Sequence, residues 1–297
     1  MLNERLDARP KSHQQSTDLT YRLKGWANRS IAYLLLGAWT VFGFYAVGWI
    51  LLSSFSTTRE IFTNSLLSSG LHIENYIKAL TTHSLGLYFI NSTVYVCISL
   101  VLIVLISAPA SYILSRFNFP GRSLVQGMFV SGMGIPGAMM LIPLFVMFLR
   151  LKLVGTTPGL IMLYVALQIP FTVYFLTGFF STLPRELEYA ALIDGCTPFQ
   201  AFWRVMLPLA QPGLITVTIF NFIGLWNDYF WALIFVNTAE RRTLMLGLQS
   251  LVESMRYTGD WGGLFASIII VFLPTFLLYI FLSEKIIAGI TAGAVRT

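Results

Sequence analysis

Between residues 183 and 209 the chain reads LPRELEYAALIDGCTPFQAFWRVMLPL, a segment dense in helix punctuation. Pro184 suits a helix start, Glu186 and Glu188 lie on the favourable side of the helix dipole, and Gly195 is placed to close the helix in a left-handed cap. A second helix then starts afresh, with Thr197 as N-cap, Pro198 at its first position and Gln200 placed to complete a capping box. Pro208 and Pro212 close it. The spacing predicts a bent pair of short helices, a rigid knob rather than a floppy loop.

A second cluster, Trp226-Asn227-Asp228-Tyr229, mixes flat apolar rings with hydrogen-bonding groups. With Trp231, these rings could stack on a polyhydroxylated ring while Asn227 and Asp228 bond its hydroxyls. The competing reading is an aromatic belt at a membrane interface with Asp228 among the headgroups. Asn221 and Gln168 are the other polar groups that could line a path. Other chemistries find no footing. His13, His72 and His83 form no metal-binding pattern, Cys97 and Cys196 are too few for a disulfide framework, and no G-x-x-x-x-G-K-[ST] loop exists to cradle a nucleotide phosphate.

The elements that must hold these groups are set by composition. Hydrophobic residues make up 56% of the 297 and charged residues 11%, with mean hydropathy +0.73; soluble domains run at roughly 45–50% and about 25%. A lipid bilayer is the expected solvent. Ile31 to Leu52 is a charge-free run of 22 residues, about 33 Å as a helix and enough for a ~30 Å hydrocarbon core. Further runs trimmed at Gly, Pro and polar clusters place spans near 87–114, 124–148, 159–181, 213–235 and 264–283. The expectation is an all-α, polytopic protein with six transmembrane helices at 31–283, a basic tail at 1–30 whose first stretch, Met1 to about Asp18, is polar, without periodicity and so disordered, and a second tail at 284–297. Pro109, Pro136, Pro143, Pro170 and Pro274 fall within spans, as kinks or as bends that open a path.

Basic residues orient these spans. With both termini in the cytoplasm, 12 Lys and Arg lie on the inside and 7 on the outside, as the positive-inside rule requires. The net charge of +6 is accounted for by this pattern rather than by nucleic-acid binding. On the outer side, the spacing of Ile73, Tyr76, Ile77 and Leu80 predicts an amphipathic helix, either packed on the bundle or open to an external partner.

The 183–209 segment resembles the E-A-A loop of ABC importer membrane subunits, whose pattern runs E-A-A-x-x-D-G and, about a dozen residues on, L-P. Ala190, Ala191, Asp194, Gly195, Leu207 and Pro208 match; Tyr189 stands where the family usually has the motif glutamate. Glu188 is adjacent but about 100° around the helix axis. Asn75-Tyr76, Asn91-Ser92, Phe117 to Arg122, Trp226 to Phe230 and the Gly289 to Arg296 ending resemble the carbohydrate branch, the maltose-transporter type.

The resemblance implies a type I importer permease fold and a permease subunit in a bacterial or archaeal cytoplasmic membrane. That subunit would move a sugar or oligosaccharide by alternating access. It implies that Glu188, Tyr189, Ala190, Ala191, Asp194, Gly195, Phe199, Phe202, Leu207 and Pro208 form a coupling loop on a separate ATPase. Thr291, Ala292 and Gly293 would run along the ATPase interface, unless that tail is simply frayed. The implied partners are a second homologous permease in a heterodimer, two ATP-binding cassette subunits and an extracytoplasmic solute-binding protein. ATP and Mg are used by the ATPase, with no cofactor held by this chain and no catalytic residue of its own. Three rivals stand beside this reading: a permease for an amino acid, phosphate or other solute; an intramembrane enzyme, for which Asp228 is the sole ionisable group in the spans; and a channel or half of a secondary transporter, for which no internal repeat is visible.

Overall fold

The computed structural model describes the backbone of residues 11–294, and the side chains of 30–255 and 257–284. Every regular element among them is helical. Helix α1 (Lys11–Ser54) is followed by two short helices, α2 (Thr58–Phe62) and α3 (Glu74–Thr81), and then by α4 (Leu85–Arg116). Next come α5 (Arg122–Gly134), α6 (Gly137–Arg150) and α7 (Thr157–Thr182). The predicted knob is α8 (Arg185–Ile193), α9 (Pro198–Ala201), a π-turn at Phe202–Met206 and α10 (Leu207–Leu209). Helices α11 (Gln211–Trp226), α12 (Phe230–Phe235), α13 (Leu244–Thr258) and α14 (Trp261–Ala294) complete the chain.

Four of these helices are long and apolar enough to cross a membrane, at Ser30–Ser54, Leu85–Arg116, Thr157–Thr182 and Trp261–Glu284; the number reaches six if each of two bent pairs is one span. The first bent pair corrects the expectation of one helix over 124–148. α5 and α6 meet at 104°, because Pro136 removes a donor and drives Ile135 into extended backbone, with φ −82° and ψ 118°. The second pair, Pro198–Leu209 with Gln211–Trp226, turns through 71° at the prolines expected to end the knob. The expected span at 213–235 is also interrupted: α11 ends at Trp226, and α12 begins at Phe230.

At the amino terminus the helix begins at Lys11, which corrects the expectation of disorder from Met1 to about Asp18 over residues 11–18. Once the apolar run after Ser30 is helical, each added residue costs no new nucleus, so helix extends into a weakly patterned flank. Residues 1–10 of that tail lie outside the described residues. Helix α14 likewise continues past Glu284 to Ala294, whereas the side chains of Thr291, Ala292 and Gly293 lie outside the described residues.

The middle of the molecule is the contact between α4 and α7. On α4 the buried face carries Ser99, Ser107, Ser111 and Ser115 at multiples of four residues, and small side chains at helical spacing let two backbones approach closely. Ser111 donates to the Ser107 carbonyl at 2.6 Å within its own helix and lies 3.2 Å from the Val173 carbonyl on α7. α11 packs against α4, α7 and α14, and α14 packs against α1. One apolar cluster gathers Tyr95, Leu163, Tyr164, Trp226 and Phe235; the other gathers Tyr112, Phe179, Phe180, Phe202 and Met206 beside the knob.

At the end opposite the knob, α3 is the helix anticipated from the 73–80 spacing. It packs on α14 and α4, and its Asn75 side-chain amide donates to the carbonyls of Ser54 and Ser56 at 3.0 Å each, holding the end of α1. Ile73 and Ile77 remain exposed.

Candidate functional site

The knob is built as its caps dictate. Gly195 has φ +86°, its N–H donates to the Leu192 carbonyl at 3.1 Å, and the Cys196 N–H donates to the Ala191 carbonyl at 3.0 Å. These two bonds form a Schellman motif, which needs a left-handed residue at this position. Two residues on, the Gln200 N–H donates to Thr197 Oγ1 at 3.3 Å and the Thr197 N–H to Gln200 Oε1 at 2.9 Å, completing the capping box. The helix then widens into a π-turn, in which the Leu207 N–H reaches the Phe202 carbonyl.

This framework sorts the loop residues into two faces. Ala191, Ala201, Phe202 and Met206 are buried toward the bundle, where the Phe202 ring lies 5.0 Å from Tyr112. Ile193 is 85% exposed, Phe199 72% and Tyr189 55%, so among the described residues the knob presents an uncovered apolar crown. Ala190, Asp194 and Pro208 are exposed as well, and Leu207 is half-buried.

Glu188 belongs to the inner face. Its carboxylate accepts the Tyr112 hydroxyl at 2.6 Å and lies 3.4 Å from Arg116 Nε. The Arg116 guanidinium in turn donates to the Leu183 carbonyl at 2.8 Å. The 100° between Glu188 and Tyr189 therefore separates an anchor from an exposed ring. Sequence reasoning counts Arg116 only as an orienting charge and misses Tyr112; the visible signal is their spacing of four, which puts both on one face of α4.

The second cluster is less compact than its sequence suggests. Trp226 is 4% exposed. Its ring is stacked on Phe222 at 5.4 Å and met edge-on by Phe89 at 5.5 Å, and its indole N–H donates to the Val271 carbonyl at 3.0 Å. The side chain expected to offer a free face thus packs the core, because neighbours from α4 and α14 cover it. Asp228 sits in the break between α11 and α12. It accepts the Tyr164 hydroxyl at 2.8 Å, the Trp231 N–H at 3.2 Å and the Ala232 N–H at 3.0 Å, which caps α12 and ties it to α7.

Asn227 is exposed, with its amide on the Ile223 carbonyl at 2.8 Å, and Tyr229 is half-buried. Deeper along α11, Asn221 is buried and its amide donates to Thr172 Oγ1 at 2.9 Å, while its Oδ1 has no hydrogen-bond partner among the described residues. Thr172 donates to the Gln168 carbonyl at 2.8 Å. Gln168 and Asn221 thus share a polar seam between α7 and α11, to which Thr172 is an addition the sequence does not single out. A separate cavity of about 350 Å³ behind α11, lined by Leu100, Leu214, Ile219, Phe222, Leu278 and Leu282, is apolar.

Comparison with known proteins places this geometry. Residues 100–287 match the family described as the binding-protein-dependent transport system inner membrane component. The chain is 38% identical over 268 residues to the diacetylchitobiose uptake system permease protein NgcG of Streptomyces coelicolor, covering 90% of this chain and 89% of that one. It is 33% identical over 248 residues to the trehalose transport system permease protein SugB of Mycobacterium tuberculosis, covering 84% and 90%. Its fold matches a chain of a bacterial ABC transporter involved in import of the acidic polysaccharide alginate, with TM-score 0.76 and 22% identity over 89% of this chain and 97% of that chain. The chain therefore belongs to the inner-membrane component family of binding-protein-dependent transport systems, as a multi-pass permease of the ABC importer type.

Proposed function

We propose that this protein is the permease subunit of an ATP-driven importer for a sugar or oligosaccharide, coupled through residues 183–209 to a separate ATPase. The observation that carries the reading is the knob: two capped helices at a fixed angle, buried on one side and bearing Tyr189, Ile193 and Phe199 exposed on the other. The Schellman motif and the capping box fix the two short helices as they fix helix ends in general. What supports docking is that this fixed frame holds large apolar side chains outward on one face while the other packs on the bundle. Relatives named for diacetylchitobiose and trehalose uptake support a carbohydrate as the solute.

On this reading both termini and the knob face the cytoplasm, and closure of an ATP-bound cassette dimer moves the knob and rocks the spans between inward- and outward-open. The chain pairs with a homologous permease and receives solute from an external binding protein. Thr291, Ala292 and Gly293 run along the ATPase interface. Solute passes beside the α7–α11 seam, where Gln168, Asn221, Asn227, Asp228 and Tyr229 offer hydrogen bonds and Trp226 stiffens the wall. The test is the assembled transporter in liposomes with its binding protein: ATP hydrolysis rises with a cognate sugar and is unaffected by amino acids or phosphate. Stimulation by a non-carbohydrate solute alone would overturn the choice of substrate.

A further inference from the structure

We propose that Tyr112, Arg116 and Glu188 form a strut that makes the first helix of the knob move with α4, so that these three are positioning residues for energy coupling. The inference rests on the reading of 183–209 as the coupling loop and adds the link by which motion leaves it.

The two helices of the knob are attached to the bundle by different means. The second half, α9 with its π-turn, is held by apolar packing: Phe202 and Met206 sit in the cluster of Ala108, Tyr112, Leu176, Phe179 and Phe180. The first half, α8, buries Ala191 alone. Among the described residues its side-chain hydrogen bond to α4 runs through Glu188, which receives the Tyr112 hydroxyl at 2.6 Å and is paired by charge, without a hydrogen bond, to Arg116 Nε at 3.4 Å. The side chains of Arg116 and Glu188 are 4% and 12% exposed, a depth at which water screens the pair weakly and loss of one partner strands the other. Arg116 also holds the Leu183 carbonyl at the end of α7, so one guanidinium ties α4, α7 and α8 together. Close packing seats α9 against the bundle; for α8, which buries little, the short charge-assisted bond from Tyr112 to Glu188 fixes the distance to α4.

The location completes the argument. α4 and α7 make the most extensive helix contact in the molecule, through the buried serine face. A displacement delivered to α8 and passed by the strut therefore reaches the most extensively packed pair of spans. Tyr189 points outward and is left free for the partner.

The experiment uses the complete transporter and compares Glu188→Ala, Tyr112→Phe, Arg116→Ala and the Glu188→Ala/Arg116→Ala double variant. Tyr112→Phe removes one hydroxyl and keeps the ring that packs on Phe202, so it guards against misfolding of the harsher variants. The readouts are ATPase subunits co-purified, ATP hydrolysed and solute moved per ATP. The strut predicts wild-type amounts of ATPase, continued hydrolysis and solute per ATP lower by about five-fold or more, within the usual range of site-to-site couplings. The double variant loses less than the sum of the two alanine singles, because both singles already remove the Arg116–Glu188 pair.

Wild-type solute per ATP in Glu188→Ala and Tyr112→Phe overturns the strut. So does loss of the ATPase from both, which would mean that the trio only shapes the docking face. Ile193→Asp, on the exposed face, keeps the two claims apart. If it loses the ATPase while the strut variants stay fully coupled, only the strut falls. If it retains the ATPase, the coupling-loop reading itself fails.

Discussion

Replacing Gly195 isolates backbone strain from crowding. A Cβ built at this position meets nothing within 4 Å, yet φ is +86°. Any penalty is therefore conformational. An L-residue other than Gly pays about 1–2 kcal/mol in left-handed backbone, with Asn and Asp least affected, and a β-branched residue is a clear outlier there. A shift of about 1–2 kcal/mol changes the ratio of capped to uncapped loop by a factor of about 5–30. Loss of the cap frees the Ala191 and Leu192 carbonyls and swings Thr197, the start of α9, away from α8. Transport and sugar-stimulated ATP hydrolysis are expected to fall together in the order Asn, Ala, Val, while the amount of protein in the membrane stays constant. Liposome uptake and phosphate release on the same preparations check this. A Gly195→Val transporter with wild-type uptake would refute the account of the knob as a cap-dependent rigid body.

Asp228→Asn replaces one carboxylate oxygen by a donor facing either the Trp231 N–H or the pair formed by the Tyr164 hydroxyl and the Ala232 N–H; a stranded buried group costs about 1–3 kcal/mol, so the thermal midpoint in detergent falls and sugar uptake slows. Trp226→Ala opens a void at Phe222 and Phe89, and such truncations cost about 3–5 kcal/mol. Less protein is expected in the membrane, with the surviving transporters showing unchanged sugar KM. Glu60 is buried on α2, its carboxyl held well below the ordinary 4.5 by the Thr57 N–H first, then by the Ser69 and Ser68 hydroxyls and the Ser69 N–H. Its contribution is full above that ordinary value and lost as pH falls toward the depressed one, so the stability advantage over Glu60→Gln narrows between about pH 5 and 3, read as thermal midpoint against pH.

Elements governed by local rules are legible in the amino-acid sequence. Thr197, Gln200 and Gly195 act within three residues of themselves, and each cap forms where its spacing places it. The four long spans follow from uninterrupted apolar length. The break at Ile135 is harder to read, because a charge count over 123–149 registers no change at Pro136 although that residue redirects the backbone. The fate of Trp226 depends on Phe89 and Val271, which are far away in sequence. For the same reason Glu188 cannot be separated from Tyr189 by local pattern. Which of two adjacent residues turns inward is decided by Tyr112 and Arg116, some seventy residues earlier.

Tyr189 in place of the motif glutamate acquires a physical sense from this arrangement. A glutamate there would stand on the exposed face of α8, one position from a carboxylate already committed to Arg116. A tyrosine presents instead a ring of large area with a hydroxyl at its rim, beside Ile193 and Phe199. On the proposed coupling role, such a face would bind by burying apolar surface, with affinity that depends weakly on salt, and a partner matched to it would offer an apolar cleft rather than a basic side chain. The carboxylate that the E-A-A pattern would put at position 189 has, in this chain, its nearest counterpart one residue earlier and turned toward α4, where it fastens the knob to the bundle.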